Sequence, residues 1–407
     1  MRKTWMRKTW GPRTCGRRRR DKRAISQTFE TIGLRAAIQY GSEACAIMDA
    51  TGSPEAAEFD RIRRADGLGA ALKWRDSLFA PFEQLSSSGA RLHIDGMTIS
   101  SLRIGTRSSP MALAQTHLVR DRLAAAHRAL AAPGAMEVVA VTTVADKVLD
   151  RPLAEIGGKG LFTKELEQSL LDRRIDIAVH SMKDVETWLP DGLSIACILP
   201  RDDPRDALLS HRADSLAKLA AGSRVGTSSL RRSAQVLMRR PDLRIVPMRG
   251  NANTRIRKLA DGECDATLLA LCGLQRIGME AHAKEIISTD EMLPAVAQGA
   301  LGIECRAEDA ELRALLSPLA CPTTTACINA ERAFLAALDG TCRTPVAALA
   351  TIQSDRLSLR AMLFTPDGKR HWEAAREGAV ADAAAIGEDA GRAVRAEAGD
   401  VYQTQLR

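Results

Sequence analysis

Ile175-Asp176-Ile177-Ala178-Val179-His180-Ser181-Met182-Lys183-Asp184 is the stretch on which the reading of the fold turns. Ile175 to His180 is almost continuously apolar, the pattern of a strand covered on both faces, as in the parallel sheets of α/β proteins. It runs directly into Ser181, Lys183 and Asp184. A cation and a carboxylate therefore sit at the carboxyl end of a buried strand, where open α/β sheets hold their ligands. A carboxylate there can stabilise a cationic species or carry protons. It suits a turn-capping role equally well, and on these residues alone the two readings are even.

On the amino-terminal side, Leu102-Arg103-Ile104-Gly105 reads as a strand that stops at Gly105. Thr106 to Pro110 then supplies N-cap candidates and a proline suited to a first helical turn, and the helix continues through Ala114, Leu118 and Leu123. Glu137 to Thr143 is a second strand, and Gly157-Gly158-Lys159-Gly160 a turn into a helix with Leu166, Leu170 and Leu171 on one face. On the carboxyl-terminal side the texture breaks at Pro200 to Pro204 and a second series begins. Strands at Arg224–Gly226, Leu243–Pro247 and Ala266–Leu271 alternate with helices opening at Thr227–Arg232 and Arg249–Arg255. That alternation predicts two doubly wound α/β units. After Pro322, a helix at Ala326–Leu338, strands near 346–353 and 356–364 and a helix near 380–397 predict a small α+β domain.

The 407 residues suffice for two or three domains. No run approaches the 18 apolar residues of a membrane span. The net charge of +8 is uneven: residues 1–96 hold 18 Lys/Arg against 11 Asp/Glu, which leaves the rest near neutrality. Bulk electrostatics therefore gives no reason to expect nucleic acid as a partner of the globular part. The chain opens with Met1-Arg2-Lys3-Thr4-Trp5, repeats it as Met6 to Trp10, and continues to Arg17–Arg20. A basic arm or a targeting peptide is one reading; a disordered leader with Met97 as an alternative start is the expected one. Nine cysteines at irregular spacing, with no C-x-x-C, indicate neither a disulfide framework nor a zinc site and fit a reducing, cytoplasmic setting. No metal-ligand spacing is present, and His117 and His180 read as packed, hydrogen-bonded histidines.

Three strand-to-helix turns carry arginine beside serine or threonine: Arg107 with Ser108 and Ser109, Arg231 and Arg232 with Ser228 and Ser229, and the turn that holds Arg249 with Arg255. Free N–H groups at helix starts and planar guanidinium forks both suit anions. A cleft lined by these turns calls for a ligand with several negative groups. Cys342 lies in Asp339-Gly340-Thr341-Cys342-Arg343-Thr344-Pro345, a turn after a helix. An exposed thiol beside arginine is a candidate for covalent chemistry, although an incidental cysteine is the commoner outcome.

Taken in order, Arg103–Pro110 (RIGTRSSP), Gly157–Leu166 (GGKGLFTKEL), Asp176–Val185 (DIAVHSMKDV), Asp203–Ala207 (DPRDA), Gly226–Arg232 (GTSSLRR), Arg249–Asn251 (RGN), Gly299–Arg306 (GALGIECR) and Gly340–Pro345 (GTCRTP) resemble the porphobilinogen deaminase (hydroxymethylbilane synthase) family over about 100–407. The resemblance implies two periplasmic-binding-protein-like α/β domains, 97–200 with 295–318 and 201–294, a cofactor-bearing α+β domain at 319–407, and an extension at 1–96. It implies a cytoplasmic, monomeric transferase that joins four porphobilinogen molecules head to tail with loss of ammonia, giving hydroxymethylbilane for haem-type tetrapyrrole biosynthesis. Cys342 would hold a dipyrromethane cofactor by a thioether, with Lys183, Asp184, Ser229, Arg231 and Arg232 around it. Asp184 would be the catalytic carboxylate, and Arg107, Ser109, Lys159, Arg249, Arg255 and Arg276 would bind substrate carboxylates. No metal, membrane or nucleic acid is implied.

Four positions depart from the family pattern. Glu186 replaces the proline that usually follows HSMKDV, Ala145 a glycine in T-x-G-D, Glu155 a lysine, and Ala297 the glycine of A-V-G-Q-G. Two rival readings are a non-enzymatic bilobal binder of a polycarboxylate and a nucleic-acid protein led by the basic arm. The binder needs neither a reactive thiol nor a strand-end aspartate.

Overall fold

The structure, a computed structural model, describes Arg61 and residues 92–94, 97–99, 101–143, 162–341, 344–402 and 404. The chain divides into two compact units, Met1–Ala90 and Arg91–Arg407. The expected extension lies outside the described residues apart from Arg61 and 92–94. The second unit opens with a short antiparallel pair, β1 (Leu92–Ile94) and β2 (Met97–Ile99).

The first large sheet contains β3 (Leu102–Arg107), β4 (Met136–Val141), β5 (Ile177–Ser181), β6 (Leu193–Ile198) and β12 (Leu301–Arg306), in the order β4-β3-β5-β12-β6. Ile177 to His180 are all buried, as an apolar run between two layers of helix requires. Ile177 and Val179 face a core with Val119 and Leu123 of α1 (Pro110–Ala126). Ala178 faces Leu166 and Leu170 of α2 (Lys164–Leu171) on the other side. The strand expected to stop at Gly105 instead continues to Arg107. Gly105 is a packing residue, since a Cβ there would lie 2.2 Å from Ile175 Cδ1.

The second sheet repeats the plan with β7 (Asp206–Ser210), β8 (Arg224–Gly226), β9 (Arg244–Val246), β10 (Ala266–Ala270) and β11 (Glu285–Ile286), ordered β11-β7-β10-β8-β9. Its helices are α3 (Leu230–Arg239), α4 (Ala252–Ala260) and α5 (Leu271–Arg276). Neither sheet is wholly parallel. The chain crosses from the first to the second along 199–205 and back along 294–300, and the strand that follows each crossing, β7 or β12, runs antiparallel to its neighbours.

After α6 (Ala310–Leu316), the helix α7 (Pro322–Ala337) starts four residues earlier than expected, with proline in its first turn. It packs with α8 (Ala383–Val401) against the antiparallel sheet β13 (Val346–Gln353), β14 (Arg356–Phe364) and β15 (His371–Ala379). Ser354 and Asp355 close the first hairpin with φ of 44° and 64°, the left-handed pair that a two-residue turn demands. The core of this layer includes Met182 and Val185 from the end of β5, so the third sheet and its helices grip the first. Among the described residues no helix is long and apolar enough to cross a membrane.

Candidate active site

At the end of β5 the backbone makes one 3-10 turn, Met182–Asp184. Met182 is buried, and its sulfur fills the space a Cβ at Gly302 would need, 2.1 Å away. Its amide donates to the Ala300 carbonyl at 3.0 Å. Val185 is buried on the far side of the turn. Burying each of these two side chains contributes roughly 1.5–3 kcal/mol, which fixes the residues flanking Lys183 and Asp184. Asp184 itself is half-buried, and its carboxylate makes no salt bridge or side-chain hydrogen bond with any described residue. Just upstream, His180 Nε2 and Glu304 Oε2 lie 2.8 Å apart, fully enclosed, and Gln115 Nε2 donates to Ser181 Oγ at 2.9 Å. His180 is thus the packed histidine expected; His117 is not, because it stands exposed on α1.

Lys183 points toward the second sheet. Its Nζ donates to Gln298 Oε1 at 3.5 Å. Burial lowers its pKa against the opposing pull of Asp184, and Cys272, Arg232 and Asp206 also act on it. Gln298 continues the chain of contacts, donating from Nε2 to the Pro204 carbonyl at 2.7 Å and to Asp206 Oδ1 at 2.9 Å.

The arginines at the start of α3 are fixed by Asp206. Arg231 Nη1 lies 2.8 Å from Asp206 Oδ2, and Arg232 Nη2 lies 2.7 Å from Oδ1. Arg231 Nη1 also donates to the Leu293 carbonyl at 2.8 Å, and Arg232 Nη1 donates to the Leu268 carbonyl at 3.0 Å. Burial would raise the Asp206 carboxyl, but the attraction and hydrogen bonds of the two guanidinium groups outweigh it and hold it well below the usual carboxylate range. One carboxylate against two guanidiniums leaves the turn net positive. Ser229 caps α3, its side chain accepting from the Arg232 amide.

Asn251 likewise caps α4, and Gly250, with φ of 116°, makes the sharp entry. Arg255 Nε donates back to the Gly250 carbonyl at 2.9 Å. Burial, then repulsion from Arg232 and Arg249, lowers the Arg255 guanidinium to about 10. Such crowding of half-buried cations suits an anionic ligand. Arg107, at the end of β3, lays its guanidinium 4.6 Å from the centre of the Phe162 ring, and the Ser109 side chain accepts the Ala112 amide as the cap of α1.

Arg276 has a different setting. It pairs with Asp202 at 2.7 Å and donates to the Gly299 carbonyl at 2.8 Å, so it ties the two crossings together. Lys159, Cys342, Ala145 and Glu155 lie outside the described residues. Of the six described cysteines, five are buried and Cys321 is partly so. Sequence reasoning passed over Asp206, Gln298, Gln115, Glu304 and Arg332. Asp206 stood within a quoted motif, DPRDA, and an acid opening an apolar run was the available signal. Gln115 was readable as a polar residue on the buried face of α1.

The described donor set fits a polycarboxylate group. Arg232 acts electrostatically on both Lys183 and Arg255, and Arg249 on Arg255, so half-buried cations from both sheets are linked through the buried Arg232, with Asp206 as its compensating acid.

Comparison with known proteins agrees. A family model described as porphobilinogen deaminase, dipyromethane cofactor binding domain, matches residues 102–314, and one for the porphobilinogen deaminase C-terminal domain matches 325–396. The chain is 51% identical over 301 residues to a porphobilinogen deaminase of Nitrobacter winogradskyi, covering 74% of this chain and 95% of that one. It is 52% identical over 312 residues to the chloroplastic porphobilinogen deaminase of Oryza sativa, covering 76% and 87%. Among solved structures, a periplasmic substrate-binding protein of an ABC transporter from Coxiella burnetii matches at 15% identity with a TM-score of 0.34, over 55% of this chain and 94% of that one. With two family models in tandem and half the residues identical across three quarters of its length, the chain belongs to the porphobilinogen deaminase family.

Proposed function

We propose that this chain condenses four porphobilinogen molecules head to tail, releases four ammonia molecules, takes up one water as the product leaves, and so delivers hydroxymethylbilane, with Asp184 as its catalytic carboxylate. The observation that carries the reading is one carboxylate, Asp184, with no ion-pair partner among the described residues, set near half-buried cations, Lys183 and Arg255, drawn from both sheets. Each porphobilinogen brings two carboxylates, and Arg107, Arg249, Arg255 and Lys183 suit them as charge-assisted donors. Loss of ammonia leaves a cationic substrate carbon; in this reading Asp184 stabilises it and exchanges a proton at the pyrrole nitrogen. Arg231 and Arg232, held by Asp206, supply fixed positive field without needing to move.

A dipyrromethane held through Cys342 supplies the nucleophilic pyrrole carbon that primes chain growth. Family membership supports the cofactor, and the turn sequence Gly340-Thr341-Cys342 supports its attachment point. Ser109, Ser229, Lys159 and Arg276 remain in the proposed binding set by resemblance. Three domains, 97–200 with 295–318, 201–294 and 319–407, are part of the same reading, supported by the three sheets. So is a monomer, carried by resemblance alone, that works on small molecules without nucleic acid, the last point supported by the near-neutral charge beyond residue 96. A non-enzymatic binder is not favoured, since family membership points to a transferase.

Intact mass and turnover test the reading together. The purified protein should carry a covalent dipyrrole, lose it in Cys342→Ser, and release ammonia from porphobilinogen. An active enzyme of bare-chain mass would refute the attachment.

A further inference from the structure

We propose that Arg332 is a positioning residue for this reaction: reaching over from α7, it holds the backbone immediately after Asp184 and so sets where that carboxylate stands. The proposal rests on the functional reading above. Arg332 Nη1 donates to the Val185 carbonyl at 3.0 Å, and Nη2 to the Glu186 carbonyl at 2.6 Å and the Thr187 carbonyl at 3.5 Å. These three carbonyls lie between the 3-10 turn and β6, and among the described residues they accept from no backbone N–H. The guanidinium is their fastening.

The upstream side of Asp184 is held differently. His180 is closed against Glu304, and Met182 is locked by burial and by the Ala300 carbonyl. Asp184 therefore sits between two fixed points, one belonging to the first sheet and one to α7. Burial lowers the Arg332 pKa, opposed by Glu186 and Glu304. A partly buried cation kept on backbone carbonyls is a poor stabilising device, because its desolvation cost offsets much of what it gains. It is a good registering device, since a planar fork fixes direction as well as distance.

The neighbouring residue extends the logic. Glu331 receives Arg201 at 2.5 Å and the Ala297 and Ala350 amides at 2.7 and 2.9 Å. Consecutive residues of α7 thus grip a chain crossing and the Asp184 loop, and the same helix leads, five residues past Ala337, to Cys342. The sequence adds a reason specific to this chain. Where the family pattern has proline after Val185, this chain has Glu186, so the loop loses a built-in restraint on φ and depends more on an external one.

The test uses the full chain, with Arg332→Met, Arg332→Lys, Arg332→Met combined with Glu186→Pro, and Val394→Ala as a control that loosens the core beneath α7 and α8 and leaves the Arg332 donors in place. The Arg332→Met enzyme should keep its dipyrrole by intact mass and lose kcat about tenfold to a hundredfold with KM little changed, the pattern of a misplaced catalytic group. Hydrogen exchange should rise in peptides covering 182–189. Arg332→Lys should fall between wild type and Arg332→Met, and the added proline should restore part of the lost kcat. A folded, loaded Arg332→Met enzyme with wild-type kcat and unchanged exchange overturns the proposal. So does a kcat loss that Val394→Ala reproduces at the same fall in Tm. If the wild type itself fails to consume porphobilinogen, the functional reading is what fails, and the comparison among variants exposes that at once.

Discussion

Two turns at the carboxyl ends of strands face the same task with opposite solutions. The Thr227–Arg232 turn after β8 carries its own counter-ion problem and resolves it inside the second sheet, where Asp206 clamps Arg231 and Arg232. The Ser181–Asp184 turn after β5 leaves its carboxylate without an ion-pair partner among the described residues and takes its rigidity from elsewhere, chiefly α7. Groups that only bind can be locked by strong local pairing. A group that must change its proton inventory cannot, because every close cation that fixes it also holds it in one state. External packing fixes position without fixing protonation.

Substitutions in the two turns should separate these roles. The largest effect is expected for Asp184→Asn. It should fold and load normally yet lose about 10²–10⁴-fold in kcat, the usual worth of a positioned acid-base group. Near-normal steady-state turnover would erase the contrast. Asp206→Asn should instead act on stability: it strands two buried guanidinium groups, at a cost of about 3–5 kcal/mol by denaturant unfolding. Its pH signature has a definite sign. The folded Asp206 carboxyl lies below its ordinary value, so its stabilisation is present above about pH 4 and is lost as pH falls below that. The acid limb of the wild-type stability curve should flatten in the variant. Arg255→Leu sharpens the comparison further. It relieves repulsion from Arg232 and Arg249, so the protein without substrate should not lose stability from the lost charge, while KM for porphobilinogen rises about tenfold, as for one charge-assisted contact. The smallest effect is expected at Ala297, whose φ of 60° is the left-handed conformation that glycine adopts freely. Ala297→Gly should raise stability by at most about 1 kcal/mol by thermal unfolding, with activity unchanged.

Much of this contrast is legible in the sequence. Gly, Ser and Pro punctuate the strand ends so sharply that RIGTRSSP, HSMKD and GTSSLRR each fell at the start of a turn or helix, as read. What escaped was non-local. An apolar strand does not declare its direction, so β7 and β12 could not be told from parallel strands. The strand β15 is rich in Ala and Glu, residues of high helix propensity, and its strand character rests on the alternation of buried Trp372 and Ala374 with exposed neighbours. Asp206 stands 25 residues before Arg231 in the sequence, and Arg332 stands 147 after Val185, so no local pattern announces either partnership.

The placement of the returning strands has a mechanical consequence. β12 enters the first sheet next to β5, and β7 enters the second beginning with Asp206. The two connecting segments that any hinge between the lobes must use are therefore continuous with the strand beside the one that leads to Asp184 and with the residue that anchors the arginine pair. Arg276 straps the segments to each other through Asp202 and Gly299. A rocking motion that makes room for a lengthening product would be felt as torsion at both turns together.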